Sequence, residues 1–270
     1  MRTRVLTGAV AMAVTLAAVL AASPIPAAVL LGLLCLIGAI EAAKLTGRPA
    51  WRAIVAVALC FGALVFATRD PILFFGALAL FWIDGAIFLF LWKPNSVLGS
   101  PWLAFWIVCG AGSGMVLQLQ SLGSGSLFEP NLLLLVLVPL WVGDSAAYFV
   151  GKAWGRHKLA PAISPNKTVE GAAANLVGCV VAAYALGVWL GVPTVASVAV
   201  GLSAGVFGQA GDLLQSRLKR AAGVKDSGTL LPGHGGVLDR MDSFLFSSYP
   251  SMMLLLWLAP ELFHVKQWPF

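Results

Sequence analysis

The stretch Ala27-Ala28-Val29-Leu30-Leu31-Gly32-Leu33-Leu34-Cys35-Leu36-Ile37-Gly38-Ala39-Ile40 holds no charged side chain, and Glu41 and Lys44 alone interrupt the apolar run before Leu45. About 20 apolar residues in a helix cross the ~30 Å hydrocarbon core of a bilayer. The run is bounded by Ser23-Pro24-Ile25-Pro26 on one side and Thr46-Gly47-Arg48-Pro49 on the other. Residues 27–45 therefore read as a membrane helix with proline and glycine breaks at both ends.

The same pattern recurs outward from it. Nine runs are read: 5–22, 27–45, 51–67, 71–91, 102–120, 131–151, 170–190, 194–214 and 243–263. The expected fold class is all-α, a polytopic integral membrane protein of about nine transmembrane helices with a cytoplasmic N-terminus. The first run follows Met1-Arg2-Thr3-Arg4 and ends at Ala21-Ala22-Ser23, which resembles a signal peptide. The next apolar run begins almost at once, and an uncleaved first helix is the preferred reading.

Composition agrees. Of 270 residues, 60% are apolar and 10% charged, and mean hydropathy is +0.92. A soluble domain carries about 25% charged residues, so a soluble globular protein is excluded. The net charge of +6 needs no nucleic-acid partner, because cytoplasmic loops of membrane proteins collect Lys and Arg. With nine alternating spans and the N-terminus inside, 15 of the 17 basic residues fall on the cytoplasmic side, leaving Arg69 and Lys266 outside. Cys35, Cys60, Cys109 and Cys179 each stand alone in an apolar run and read as small packing residues rather than ligands or disulfide partners.

Two long loops then lie on the cytoplasmic side, 152–169 and 215–242. The expected organisation is an N-terminal region, 1–100, that supports the rest, admits lipid or mediates dimerisation, and a C-terminal catalytic region, 101–270, carrying both loops. Six of the eleven acidic residues lie near these loops: Asp144, Glu170, Asp212, Asp226, Asp239 and Asp242. Carboxylates in or beside a span are costly unless paired, which makes them functional candidates.

Asp212, Ser216 and Lys219 recur at i, i+4 and i+7. If the eighth helix continues past the membrane surface, all three share one face and suit a cation beside a phosphate. A solvated helix end with an internal salt bridge is the plainer alternative. Downstream come Gly223-Val224-Lys225-Asp226-Ser227-Gly228 and Leu231-Pro232-Gly233-His234-Gly235-Gly236-Val237-Leu238-Asp239-Arg240-Met241-Asp242. Glycines allow backbone N–H groups to approach a phosphate. Asp239 and Asp242, three apart at a helix start, can face one site, although two acids there also suit the helix dipole. The dipole does not explain the interleaved Lys225, His234 and Arg240. Acids mixed with bases suit a metal–nucleotide site, since Mg²⁺ takes one or two carboxylates plus substrate phosphates. His234 either donates to a phosphate or caps the turn, and zinc is not indicated without a Cys or second His nearby.

In the other loop, Asp144 and Tyr148 lie one turn apart in the sixth span. Ser164, Lys167 and Thr168 precede the seventh helix, where a helix N-terminus offers an anion site or Ser and Thr simply cap it. Asp144 lies about two turns inside the membrane edge, where a purely structural role is uncomfortable.

The run Ser216-Arg217-Leu218-Lys219-Arg220, then Lys225-Asp226-Ser227-Gly228, then Pro232-Gly233-His234-Gly235-Gly236-Val237-Leu238-Asp239-Arg240-Met241-Asp242-Ser243 resembles the signature of the phosphatidate cytidylyltransferase (CDP-diacylglycerol synthase) family. Asp144, Tyr148, Gly151, His157-Lys158-Leu159, Ser164-Pro165, Lys167-Thr168 and Glu170-Gly171 add to the likeness, which covers roughly residues 130–250. Gln215 departs from it, standing where many members have an acidic residue. The resemblance implies the reaction CTP + phosphatidate → CDP-diacylglycerol + pyrophosphate, dependence on Mg²⁺ with the number of cations open, and a homodimer. It implies a place in the bacterial inner (plasma) membrane with the site facing the cytoplasm. Asp212 and Asp239 match metal-binding positions of the family. Lys219, Lys225, Asp226, His234, Arg240 and Asp242 are implied to surround the reacting phosphates. Arg220 adds charge to neutralise the reactants, and Ser164 and Lys167 are expected to orient a phosphate from the opposite loop.

Two other readings compete with this one. CDP-alcohol phosphotransferases need a run of the form Asp-x-x-Asp-Gly-x-x-Ala-Arg, for which Asp84-Gly85 lacks the other members. A transporter would use Asp84 as a mid-span relay, though an interhelical hydrogen bond is the preferred reading of that residue. Glu41 pairs locally with Lys44 at i+3 in this reading and receives no functional role.

Overall fold

A computed structural model describes residues 2–21, 23–47, 99–120, 131–233 and 235–263. The runs expected at 51–67 and 71–91 lie outside the described residues, as do Asp84, Cys60 and His234. Seven helices are present among those described: α1 (Arg2–Val19), α2 (Ile25–Leu45), α3 (Gly99–Leu119), α4 (Leu134–Trp154), α5 (Val169–Leu190), α6 (Thr194–Ala221) and α7 (Leu238–Leu258). Helices α2, α4, α5 and α6 are long and apolar enough to cross a membrane.

Two boundaries depart from the sequence reading. Helix α6 continues to Ala221, seven residues beyond the expected span, which keeps Asp212, Ser216 and Lys219 on one helix. Helix α7 begins at Leu238, five residues early, so Asp239 and Asp242 lie in its first two turns. The loop 152–169 also contains an unexpected antiparallel hairpin, β1 (Lys158–Ala160) with β2 (Ser164–Thr168). Thr168 ends β2 and caps α5, its Oγ1 accepting the Gly171 N–H at 3.1 Å. At the other end of α5, Gly191 takes φ 72° and stops the helix.

Glycines set the helix spacing. A Cβ on Gly143 would strike Cys179 Sγ, one on Gly201 would lie 2.7 Å from Val180 Cα, and one on Gly211 would lie 2.6 Å from the Asp242 carbonyl oxygen. Close backbone approach at small residues is how helices associate when lipid removes the hydrophobic drive. Cys35, Cys109 and Cys179 are buried, as packing residues should be.

The same logic gives a test. A Cβ on Gly110 would lie 2.6 Å from Leu245 Cα and closer still to its carbonyl oxygen, whereas Gly32 has nothing within 4 Å. Gly110→Ala is expected to cost about 1–3 kcal/mol by forcing α3 from α7, and Gly32→Ala to be neutral or slightly stabilising. Thermal unfolding of both variants in detergent checks the contrast.

The connections gather the site at one end of the bundle. The C-terminus of α4, the hairpin, the N-terminus of α5, the C-terminus of α6 and the N-terminus of α7 meet there. The opposite end is pinned by buried amides, Gln118 Nε2 and Asn131 Nδ2 both donating to the Val19 carbonyl, at 2.8 and 2.7 Å. Those bonds satisfy a carbonyl that α1 leaves without an intrahelical partner.

Candidate active site

Asp212 projects from α6 one turn before Ser216, whose Oγ donates to Asp212 Oδ1 at 3.3 Å. Its other oxygen meets Lys167 Nζ from β2 at 2.6 Å. The strand places Lys167 there because Thr168 is fixed as the α5 cap and the Val169 N–H bonds the His157 carbonyl at 2.9 Å. Glu170 closes the same corner, accepting from the N–H groups of Arg156 and His157 and approaching His157 Nδ1 at 2.7 Å.

Lys167 and Asp212 form part of the wall of a cavity of about 520 Å³ between α4, the hairpin, α5 and α6. Asp144, Tyr148, Lys152, Asn166, Asn175, Gln209 and Ser243 also line it. Asn175 Nδ2 donates to Asp144 Oδ1 at 3.1 Å. Gln209 is fixed by its amide, which donates to the Ala172 and Gly205 carbonyls. Asp242 is buried beside this group, one oxygen accepting the Ser243 N–H at 2.7 Å. The Asp212 and Lys167 charges both act on Asp144 and on Asp242. Three carboxylates from three helices thus share one neighbourhood.

A second cluster stands on the α6–α7 connection. Lys219 Nζ contacts Asp239 Oδ1 at 2.7 Å, and Asp239 Oδ2 accepts the N–H groups of Ser227 at 2.8 Å and Gly236 at 3.0 Å. Burial opposes the charge on Asp239, but the Lys219 ammonium and those amides outweigh it and hold the carboxyl below the usual carboxylate range. The helical stripe read from sequence is real in backbone terms, yet its members divide: Ser216 serves Asp212, and Lys219 serves Asp239.

Other candidates are placed as follows. Lys225, Asp226 and Arg240 are exposed at the same end. Asp226 lies over Gly235, where a Cβ would come within 3.2 Å of its own Cβ. Arg220 turns back to the Val224 carbonyl at 3.1 Å and closes the end of α6. Ser164 pairs with Ala160 in the hairpin and does not line the cavity. The expected helix-terminal turn at Ser164 is a β-strand instead, and Thr168 alone supplies the cap. Gln215, at the position where an acid was expected, is fully buried with neither amide atom bonded among the described residues.

Glu41 is the residue that the sequence reading missed. Rather than pairing with Lys44, it is buried at 4% exposure, while Lys44 is exposed. Its Oε2 accepts from Ser227 Oγ and the Leu238 N–H, both at 2.8 Å, and its Oε1 accepts the Val237 N–H at 3.0 Å. Its partners lie 186–197 positions away, beyond any local spacing rule. The one signal was an acid inside an otherwise apolar run.

All the candidate ligands here are oxygens, the donor set that a hard cation such as Mg²⁺ takes. Among the described residues no group of three acidic, His or Cys side chains converges as a ready-made cage. Mg²⁺ is commonly held by one or two carboxylates with the remaining positions left to a substrate phosphate. Asp212, beside Asp144 and Asp242, meets this condition.

The cytidylyltransferase family model matches residues 2–259. The phosphatidate cytidylyltransferase of Bacillus subtilis (strain 168) is 55% identical over 111 residues, covering 40% of this chain and 41% of that protein. That of Staphylococcus haemolyticus (strain JCSC1435) is 43% identical over 122 residues, 42% of this chain and 45% of that protein. That of Staphylococcus aureus (strain COL) is 46% identical over 115 residues, 40% of this chain and 42% of that protein. The chain therefore matches less than half the length of these curated relatives.

Proposed function

We propose that this chain, which belongs to the cytidylyltransferase family, transfers the cytidylyl group of CTP to phosphatidate, giving CDP-diacylglycerol and pyrophosphate for phospholipid synthesis. The observation that carries the reading is the pair of Lys–Asp contacts, Lys167–Asp212 and Lys219–Asp239, at one end of an apolar bundle, the first of them in the wall of a 520 Å³ cavity. Two polyanions must meet in this reaction, and a membrane helix end that concentrates cations against movable carboxylates suits that task.

In this reading the site faces the cytoplasm in the bacterial inner membrane, with the N-terminus on the same side, since CTP is soluble and phosphatidate is not. The acyl chains stay in the bilayer against the exposed Tyr148, Phe149 and Trp154 of α4. The phosphate monoester has a second pKa near ~6 and is largely dianionic at neutral pH, so little base catalysis is required. One of its oxygens attacks the α-phosphorus of CTP in line, the new O–P bond forms as the α–β phosphoanhydride bond breaks, and pyrophosphate leaves. Such transfers are catalysed mainly by positioning and by cations.

Lys167 and Lys219 exchange their carboxylate partners for phosphate oxygens, and the exposed Lys225, Arg220 and Arg240 neutralise the approaching reactants. Exchange frees Asp212, and then Asp239, as ligands for Mg²⁺. When bound, Mg²⁺ neutralises phosphate charge and stabilises the leaving pyrophosphate. Asp144 and the buried Asp242 stand beside Asp212, and Asp226 stands beside Asp239, as further acidic groups; Ser216 orients Asp212, His234 is assigned to phosphate contacts, and Ser164 braces the hairpin that carries Lys167. Residues 1–100 support this region, and the chain works as a homodimer.

Purified protein supplied with CTP, phosphatidate and Mg²⁺ is expected to form liponucleotide and pyrophosphate in equal amounts, and a chelator to stop it. Product formation that ignores phosphatidate, or that persists without divalent cation, contradicts the proposal.

A further inference from the structure

We infer that Glu41 is a positioning residue: from the second helix of the chain it holds the loop 227–238 in the shape that presents Asp239 and Lys219. The consequence for turnover rests on the function proposed above; the structural role does not.

The geometry is reciprocal. Ser227 gives its hydroxyl to Glu41 and its backbone N–H to Asp239. Across the loop, Gly236 gives its N–H to Asp239 while Val237 and Leu238 give theirs to Glu41. Two carboxylates, one from α2 and one from α7, thus grip the same two segments. Val237 and Leu238 carry N–H groups at the start of α7 that the helix itself leaves unpaired, and α7 has no cap from its own N-cap side chain. Glu41 supplies that cap from a distant helix, with an acid at the positive end of the helix dipole.

Glu41 also accounts for two glycines of the loop. A Cβ on Gly228 would meet Glu41 first, 2.9 Å from its Cδ and nearer its Oε1. One on Gly236 would lie 2.5 Å from Glu41 Oε2 and closer still to Ser227 Oγ. These glycines make room for a buried carboxylate. Gly235, whose φ of 81° favours glycine in any case, packs its bare Cα against Asp239 and Asp226.

The test uses the full chain in detergent or nanodiscs, with Glu41→Ala, Glu41→Gln, Gly228→Ala and the Glu41→Ala/Gly228→Ala pair. Hydrogen exchange of peptides across 225–240 is expected to rise roughly tenfold or more in Glu41→Ala, with peptides from α4 and α5 unchanged. Glu41→Gln, which keeps the shape and one acceptor oxygen, should restore part of the protection. The Gly228→Ala defect should shrink when Glu41 is already Ala, because the collision partner is gone. Turnover should fall roughly 10–100-fold in Glu41→Ala, as for other groups that orient a catalytic shell.

Exchange that is unchanged at 225–240, or that rises equally across the whole bundle, overturns the inference, and so does additivity of Gly228→Ala with Glu41→Ala. If Glu41→Ala does not fold, Glu41→Gln carries the exchange measurement alone, and protection equal to that of the parent overturns the inference. If the parent protein makes no liponucleotide, the proposed function fails while exchange and the mutant cycle still decide the role of Glu41.

Discussion

Replacing Asp212 by Asn is expected to reduce turnover by roughly 10²–10³-fold, the cost of removing one well-placed electrostatic contact from a reacting centre, while leaving the fold intact. Asp212 and its partner Lys167 are 38% and 26% exposed. A partly exposed pair of this kind contributes about 0–1 kcal/mol, so its loss barely affects stability. What disappears is the carboxylate that faces the cavity beside Asp144 and Asp242. The variant should express and melt like the parent, bind Mg²⁺ more weakly in the presence of CTP, and make little liponucleotide. Near-normal turnover would remove Asp212 from the cation assignment.

Lys219→Met is expected to cost stability as well as turnover, with a loss of roughly 3–5 kcal/mol, the usual cost of stripping one partner from a buried ion pair. Lys219 is 12% exposed and Asp239 2%. Once Lys219 is gone, Asp239 keeps the Ser227 and Gly236 amides but no cation. Its effect on pH dependence follows from sign. The Asp239 carboxyl is held below its ordinary value, so its contribution is present above the unfolded value of about 3.9 and is lost as pH falls through the lower folded value. Without Lys219 that depression shrinks, and acid unfolding should begin at a higher pH than in the parent. Pairing Lys219→Met with Asp239→Asn should recover part of the stability, because the neutral amide keeps an oxygen acceptor for the Ser227 and Gly236 N–H groups without leaving a buried charge unpaired. Chemical denaturation of the two variants measures both effects, and equal stability of Lys219→Met and the parent would contradict the burial argument.

The two Lys–Asp pairs therefore differ in kind although they have the same chemistry. One is open to the cavity and free to exchange partners for phosphate. The other is more deeply buried and shapes the loop as well, so its exchange also disturbs the loop. Asp239 has all of its visible contacts committed to Lys219 and two amides, so it reaches a cation only after Lys219 turns away.

Much of this was legible from local patterns. Apolar runs located the seven described helices, most ends to within about three residues and those of α6 and α7 to within five to seven, because the bilayer sets helix length and composition together. The spacing of Asp212, Ser216 and Lys219 put them correctly on one helix. The acidic and basic residues of the two loops also gather at one end of the bundle, as their order suggested. Which lysine meets which carboxylate was not legible, because Lys167–Asp212 and Lys219–Asp239 depend on how separate helices dock. The hairpin escaped notice because three and five residues, one of them Pro165, give too short a pattern to read. Glu41 was misassigned for the same reason of range: Lys44 is its near neighbour in sequence, whereas Ser227 and Leu238 are its neighbours in space.

The most direct measurement places ³²P at either the α or the γ position of CTP and follows the label into extractable lipid. Purified protein with phosphatidate and Mg²⁺ should move the α label into lipid and release the γ label as pyrophosphate, and Asp212→Asn should do neither at a comparable rate. Label entering lipid from the γ position, or α label that stays in water-soluble material, would mean that the lysines and carboxylates at this end of the bundle serve a different reaction.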